Sequence, residues 1–263
     1  MRITSLASGS KGNCYYIETA GARVLIDCGI SLKQVEERLQ SINVSASSIQ
    51  YILITHEHSD HIAGIENFYK KYKPKIYCNY LSTEKIETMK PLLMGNITTF
   101  NNEQLKIGDI VVEPIEVSHD SVFCTSYKLT CGNASVCVLT DLGEVDSRII
   151  EKVRGCKVIY LESNHDEYML KNCHYPSIIK SRIASRNGHL SNTQAGECMV
   201  KLLNFGTRHF VLSHISQNSN TYEQAYITIA NILANNGINP QNDVVIRFAH
   251  QDRVSNNFNI GEV

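Results

Sequence analysis

The sequence predicts an α/β (α+β) fold in which two sheets pack on one another with helices outside, an αββα four-layer sandwich. Three observations carry that expectation. Strand patterns and helix patterns occur in both halves of the 263 residues, and mixed halves of this kind bury their apolar faces by packing sheet on sheet and covering the outer faces with helices. No Pro-, Ser- or Gly-rich stretch divides the halves, so residues 1–263 read as one large domain. Hydrophobic residues make up 43% and charged residues 19%, the balance of a core-forming chain and not of a disordered or fibrous one.

The elements follow in order. Runs at 2–7 and 14–19 are β-rich and flank Ser8-Gly9-Ser10-Lys11-Gly12-Asn13; a third run at 22–27 follows Ala20-Gly21, which makes the opening a β-meander. Ser31-Leu32-Lys33-Gln34 has capping-box form, with Leu32, Val35 and Leu39 on one helix face. The strand run at 50–55 stops at a cluster of His, Glu and Asp. A helix from near His61 then carries Ile62, Ile65, Phe68 and Tyr69 at helical spacing, before a lysine-rich end at 70–75. A strand at 75–78, a helix at 83–90 and strands at 110–118, 126–130 and 134–140 fill the middle. Thereafter the pattern alternates: helices at 147–154, 176–186, 192–203 and 222–235, and strands at 157–162, 209–213 and 243–248. The chain carries no internal repeat and no low-complexity tract.

Lys plus Arg number 25 and Asp plus Glu 26, a formal net charge of −1, so any polyanion site is local and not a whole-surface basic field. No apolar run approaches the ~18–20 residues that span a bilayer, and the opening residues lack the apolar segment of a signal peptide. No membrane role and a cytoplasmic location are expected. The nine cysteines are an odd number with no Cys-x-x-Cys pair. In that location they read as reduced, mostly buried thiols, not as a disulfide framework or a zinc ribbon.

The chemistry concentrates in His56-Glu57-His58-Ser59-Asp60-His61, three imidazoles and two carboxylates within six residues at the end of a strand. A regular helix cannot bring His-x-His-x-Asp-His together, because only positions three or four apart share a face. A strand-to-helix corner can.

Thr55-His56-x-His58-x-Asp60-His61 resembles the signature of the metallo-β-lactamase superfamily, whose fold is the αββα sandwich. Asp27, ending the run Val24-Leu25-Ile26, resembles the structural aspartate that braces the histidine loop. His119 in Val117-Ser118-His119, Asp141 in Thr140-Asp141-Leu142-Gly143 and His214 in Leu212-Ser213-His214 resemble the later ligands, each just past a strand pattern. The resemblance implies two divalent metal ions: His56, His58 and His119 on one, Asp60, His61 and His214 on the other, with Asp141 between. Imidazole and carboxylate ligands suit Zn²⁺ and tolerate Mn²⁺ or iron. Such a pair lowers the pKa of a bridging water and clamps the oxygens of an in-line displacement.

The second half narrows the branch. Leu161-Glu162-Ser163-Asn164 and Gly188-His189-Leu190-Ser191 resemble segments of tRNA 3′-processing nucleases. Together with Leu6-Ala7-Ser8-Gly9-Ser10-x-Gly12-Asn13, Glu162-Ser163-Asn164-His165-Asp166 and His214-Ile215-Ser216, they resemble the YycJ/WalJ-type hydrolases over nearly the whole chain. That likeness implies a 5′-to-3′ DNA exonuclease linked to DNA repair, with DNA as the binding partner. It also implies catalytic roles for Asp60, His189 and Glu162, the imidazole of His189 being oriented by Glu162 and protonating the leaving oxygen. The Arg-Tyr that follows the final histidine in the tRNA nucleases is replaced by Ser216-Gln217-Asn218-Ser219-Asn220, which argues against tRNA processing.

Ser10 and Asn13 read either as residues of an ordinary hairpin turn or as phosphate contacts. Asn164 and His165 read either as the approach to a helix capped at Asp166 or as substrate-facing donors, and Ser216 joins them as a substrate-binding candidate. Two divalent ions would shift the formal charge from −1 to about +3, concentrated where a phosphate binds. The alternatives to a DNA phosphodiesterase are a hydrolase of a small thioester, lactone or cyclic phosphodiester, and a metal-bound scaffold.

Overall fold

The computed structural model describes residues 1–255 and 257–261. They form two compact units. One comprises Met1–Glu116, Ser121–Ala134 and the chain from His250 onward; the other comprises Val117–Asp120 and Ser135–Ala249.

In the first unit β1 (Arg2–Ala7), β2 (Cys14–Glu18) and β3 (Arg23–Ile26) form the expected antiparallel meander, with Ile3 opposite Ile17 and Tyr16 opposite Leu25. Beyond β3 the pairing is parallel through β4 (Tyr51–Ile54), β5 (Lys75–Asn79) and β6 (Ile97–Phe100), because helices return the chain to the starting edge before each new strand. The first of these, α1 (Leu32–Gln40), starts at the predicted capping box: Ser31 and Gln34 bond reciprocally, and Val35 and Leu39 are buried. They join Leu25, Ile54 and Phe68 in a single core.

The single helix expected from His61 is two, α2 (Ser59–Ile62) and α3 (Ile65–Tyr72). The helical bond that would join them is missing for a specific reason. The Asp60 carbonyl accepts from the backbone N–H of Asn13 (2.7 Å), and Gly64 N–H donates instead to Cys28 (2.9 Å). Next, α4 (Tyr80–Met89) begins earlier than its apolar pattern suggests, because the Asn79 side chain caps Leu81 N–H. The short β6 and β7 (Leu105–Ile107) have no alternation long enough to be legible. β7 pairs antiparallel with β8 (Ile110–Val117), beside which lies β9 (Cys124–Cys131), longer than expected at both ends.

In the second unit β10 (Ala134–Leu139), β11 (Val158–Glu162), β12 (His209–Ser213) and β13 (Val245–Phe248) run parallel, with Val138 opposite Tyr160 and Tyr160 opposite Val211. β10 and β11 are buried along their whole length, which is why they read as continuous apolar runs with no alternation. The helices here are α5 (Ser147–Val153), α6 (Glu167–Asn172), α7 (Ser177–Ile183), α8 (Asn192–Leu203) and α9 (Tyr222–Asn235). α7 stops short of the predicted 186 because the Arg182 and Ile183 carbonyls are taken by Ser185 N–H and His189 N–H. Gly196 lets α8 and α9 close on each other: a Cβ there would meet Ile232 Cδ1 at 2.8 Å. The chain then returns to the first unit, where β14 (Phe258–Asn259) pairs antiparallel with β1. Two mixed sheets flanked by helices are thus observed, as the sequence predicts. Among the described residues no helix is long and apolar enough to cross a membrane.

Candidate metal centre

The histidine motif of the first unit sits on the corner between β4 and α2. Its rings are clustered, with His56 4.6 Å from His58 and 4.1 Å from His61 between centroids. Two neighbouring segments hold that corner. Asp27, at the end of β3, has φ +60°, a left-handed conformation that a non-glycine residue adopts at some cost. Its carboxylate accepts from His61 Nδ1 (2.7 Å), Thr55 N–H (2.8 Å) and Thr55 Oγ1 (2.9 Å). Burial pushes the Asp27 carboxyl up, while His61 and Thr55 pull it back toward the ionised form. Gly29 lies against the same loop, where a Cβ would come within 1.6 Å of the Asp60 carbonyl oxygen. Asn13 donates its amide to Asp60 Oδ2 (3.2 Å) and faces His61 Nε2 at 3.0 Å.

These bonds fix ring tautomers. Since an ionised carboxylate only accepts, His61 Nδ1 carries the proton and Nε2 the lone pair. Thr55 gives its single hydroxyl proton to Asp27, so toward His56 Nδ1, 3.0 Å away, it accepts, and His56 too presents a lone pair at Nε2.

In the second unit the donors stand at strand ends. Asp141 follows β10 and His214 follows β12, with φ +60° and +53°, the conformation also seen at Asp27. Glu162 ends β11 and is fully buried. Its Oε1 accepts from both His189 Nδ1 and His214 Nδ1 at 2.8 Å, and its Oε2 accepts from Leu142 N–H (3.1 Å) and Leu190 N–H (3.2 Å). Burial alone would raise the Glu162 carboxyl; the two imidazoles outweigh it and hold it well below the usual carboxylate range. One ligand atom from each of Asp141, Glu162, His189 and His214 lies within 4.8 Å of the others. His119 donates Nδ1–H to the Gly188 carbonyl (3.2 Å), and burial lowers its pKa.

The donor chemistry therefore fits divalent metal ions. His56, His61, His119 and His214 are each held through Nδ1 by an oxygen, which makes Nε2 the candidate donor atom, the arrangement in which an outer oxygen sets the ring for a metal. Half-buried His58 and Asp60 add a further nitrogen and oxygen.

The remaining sequence candidates separate. Ser10 is exposed, and Asn13 is buried with its amide spent on the histidine loop. The helix-cap reading at 166 holds, since Asp166 accepts from Met169 N–H. Asn164 donates to the His214 carbonyl (2.9 Å). The Ser216 hydroxyl accepts from Ser219 N–H (3.2 Å) within its own loop. His165 is buried, and its Nδ1 has no hydrogen-bond partner among the described residues.

Sequence reasoning missed three features. Glu162 holds His214 as well as His189. Asp120, whose Oδ1 lies 3.3 Å from His119 Nε2, pairs with Arg182 (2.9 Å). A buried amide pair, Asn192 and Asn220, bonds reciprocally at 3.0 and 2.8 Å, and Asn220 also donates to the Ser163 carbonyl (2.9 Å). The segment Ser216–Asn220 thus carries a buried support for the loop preceding His165. Ser-Asn dipeptides look like turn residues in sequence, and nothing local distinguishes a buried amide from an exposed one.

A family model of the beta-lactamase superfamily domain matches residues 22–215. Exodeoxyribonuclease WalJ of Streptococcus pneumoniae is 37% identical over 244 residues, which cover 89% of this chain and 88% of that protein. Exodeoxyribonuclease YycJ of Bacillus anthracis is 35% identical over 243 residues, 90% of each. Among solved structures, the metallo-beta-lactamase fold protein YhfI from Bacillus subtilis has a TM-score of 0.72 at 15% identity, covering 96% of this chain and 98% of that one, a likeness of fold. With the metallo-β-lactamase fold and a divalent-metal donor set, the chain belongs to the beta-lactamase superfamily.

Proposed function

We propose that this protein is a metal-dependent phosphodiesterase that removes nucleotides from DNA in the 5′-to-3′ direction. The observation that carries the reading is the pairing of a superfamily donor set with 35–37% identity, over about nine-tenths of the chain, to proteins named as exodeoxyribonucleases. Residues 1–263 act as one catalytic domain in this reading, and motif order assigns the ligands: His56, His58 and His119 to one Zn²⁺ or Mn²⁺, Asp60, His61 and His214 to a second, Asp141 to both. Bound there, the ions would supply Lewis acidity and an activated water.

The chain's own residues supply proton handling and orientation. Glu162, kept ionised, draws the Nδ1–H of His189 toward itself and stabilises the imidazolium; His189 Nε2 then hands a proton to the departing nucleotide oxygen. Asp27, Thr55 and Asn13 hold the histidine loop rigid while this happens. The test is DNA labelled at either end, incubated with the protein in Mn²⁺ or Zn²⁺. Mononucleotides released from the 5′ end first are the expected result. Intact DNA beside rapid turnover of a thioester, lactone or cyclic phosphodiester would replace this reading with a small-molecule hydrolase.

A further inference from the structure

Within the first unit one side-chain amide reaches the atoms that the ligand assignment gives to the second ion. Asn13 Nδ2 lies 3.2 Å from Asp60 Oδ2 and 3.0 Å from His61 Nε2. Those two atoms are 3.6 Å apart, a spacing that a single ion with ligand bonds of ~2.0–2.2 Å spans. His61 Nε2 has a single lone pair. The amide and an ion cannot both hold it.

The amide cannot be turned round to avoid the conflict. Its Oδ1 accepts from Gly9 N–H (2.9 Å), and an NH₂ in that place would set donor against donor. His61 cannot turn either, because its Nδ1 proton goes to Asp27 (2.7 Å), which keeps the lone pair on Nε2. Asn13 is fully buried, so its NH₂ has no water to turn to when an ion takes its acceptors. An ion bound there leaves a buried donor less well satisfied, a cost that weakens its binding. The opposite effect, loosening of the ligands once the amide is gone, is small here. Asp27 still orients the His61 ring, and the backbone N–H of Asn13 holds the Asp60 carbonyl (2.7 Å) whatever side chain position 13 carries. Competition outweighs support.

We propose that Asn13 sets the affinity of the second divalent ion by competing with it for His61 and Asp60, and so makes that ion the exchangeable one and hydrolysis responsive to the free-metal level. The inference rests on the two-ion assignment above and adds a control on occupancy to it. The Zn²⁺-loaded full chain is dialysed against buffers of graded free Zn²⁺, set by a chelator, and bound zinc is counted by elemental analysis. Wild type should retain two ions that leave at different free-Zn²⁺ levels. Asn13→Ala should hold the weaker ion about tenfold more tightly, the scale of one hydrogen bond no longer in competition, and keep the affinity of the other. Asn13→Asp keeps the size and the bond from Gly9, so it reads the same competition where Asn13→Ala does not fold. With the NH₂ replaced by an acceptor, it too should gain at least about tenfold for the weaker ion. A residue that merely supports the loop would give the reverse, weaker retention in Asn13→Ala. Unchanged or weaker retention of that ion in either folded variant overturns the role of Asn13 while leaving the two-ion assignment intact. A wild type that retains fewer than two ions at every free-Zn²⁺ level overturns that assignment, and this inference with it.

Discussion

Glu162 Oε1 accepts a hydrogen bond from His214 at 2.8 Å, and the same oxygen accepts from His189 at 2.8 Å. One buried carboxylate therefore orients both His214, proposed above as a metal ligand, and His189, proposed above for proton transfer. Its other oxygen is held by two backbone N–H groups, so all its surroundings are donors.

That geometry makes Glu162→Gln more disruptive than a change of one atom suggests. Whichever way the amide is placed, its NH₂ faces two donors. Metal affinity should fall about 10–100-fold, the usual range for losing an outer-shell partner, as read by competition with a chromogenic chelator. Unchanged affinity would mean that His214 keeps its orientation without Glu162.

His189→Ala separates proton transfer from the rest. A nucleotide alkoxide needs a proton to leave, and a positioned general acid contributes ~10²–10⁴-fold; a nitrophenolate leaves without one. DNA cleavage should drop by about that factor while an activated nitrophenyl phosphodiester turns over nearly as before, with metal content retained. Equal slowing of both substrates would reassign His189 to phosphate binding or support.

Asp27→Ala strips an acceptor from His61 and two from Thr55 in a site that is 1% exposed. Leaving a buried donor without its acceptor costs about 1–3 kcal/mol for each group, to be measured by urea unfolding of the metal-free protein. Gly29→Ala should cost at least about 4–5 kcal/mol, because the added Cβ collides with backbone and not with a movable side chain. A loss below 1 kcal/mol in either variant would show that the corner relaxes freely.

Cysteine reactivity should follow burial. Cys14, Cys28, Cys78, Cys124, Cys137, Cys156 and Cys198 are buried, and Cys131 and Cys173 are half-buried. Burial pushes Cys28 and Cys198 up to about 12, which suppresses the reactive thiolate at neutral pH. Iodoacetamide at pH 7.5 should label Cys131 and Cys173 first, the others only on unfolding; early labelling of Cys28 would contradict the packing around it.

The sequence by itself determined the fold class, the meander, the capped α1 and the histidine corner, because each is written in local periodicity, a capping pair or a dense ligand run. It also placed Asp141 and His214 just past strands, since a β-rich run that ends at a polar residue is visible without a partner. Tertiary structure alone decided which atoms those residues present. The division of one expected helix at Ala63-Gly64 depends on Asn13, some fifty residues away, taking the Asp60 carbonyl. The tautomer of His61 depends on the Asp27 carboxylate, and that of His56 on a proton that Thr55 gives to Asp27. The double duty of Glu162 requires β11 and β12 to lie side by side, with Glu162 opposite Ser213, so that the residue following Ser213 can reach it. Hydrogen-bond partners far apart in sequence leave no periodic trace, because only the folded backbone brings donor and acceptor to bonding distance.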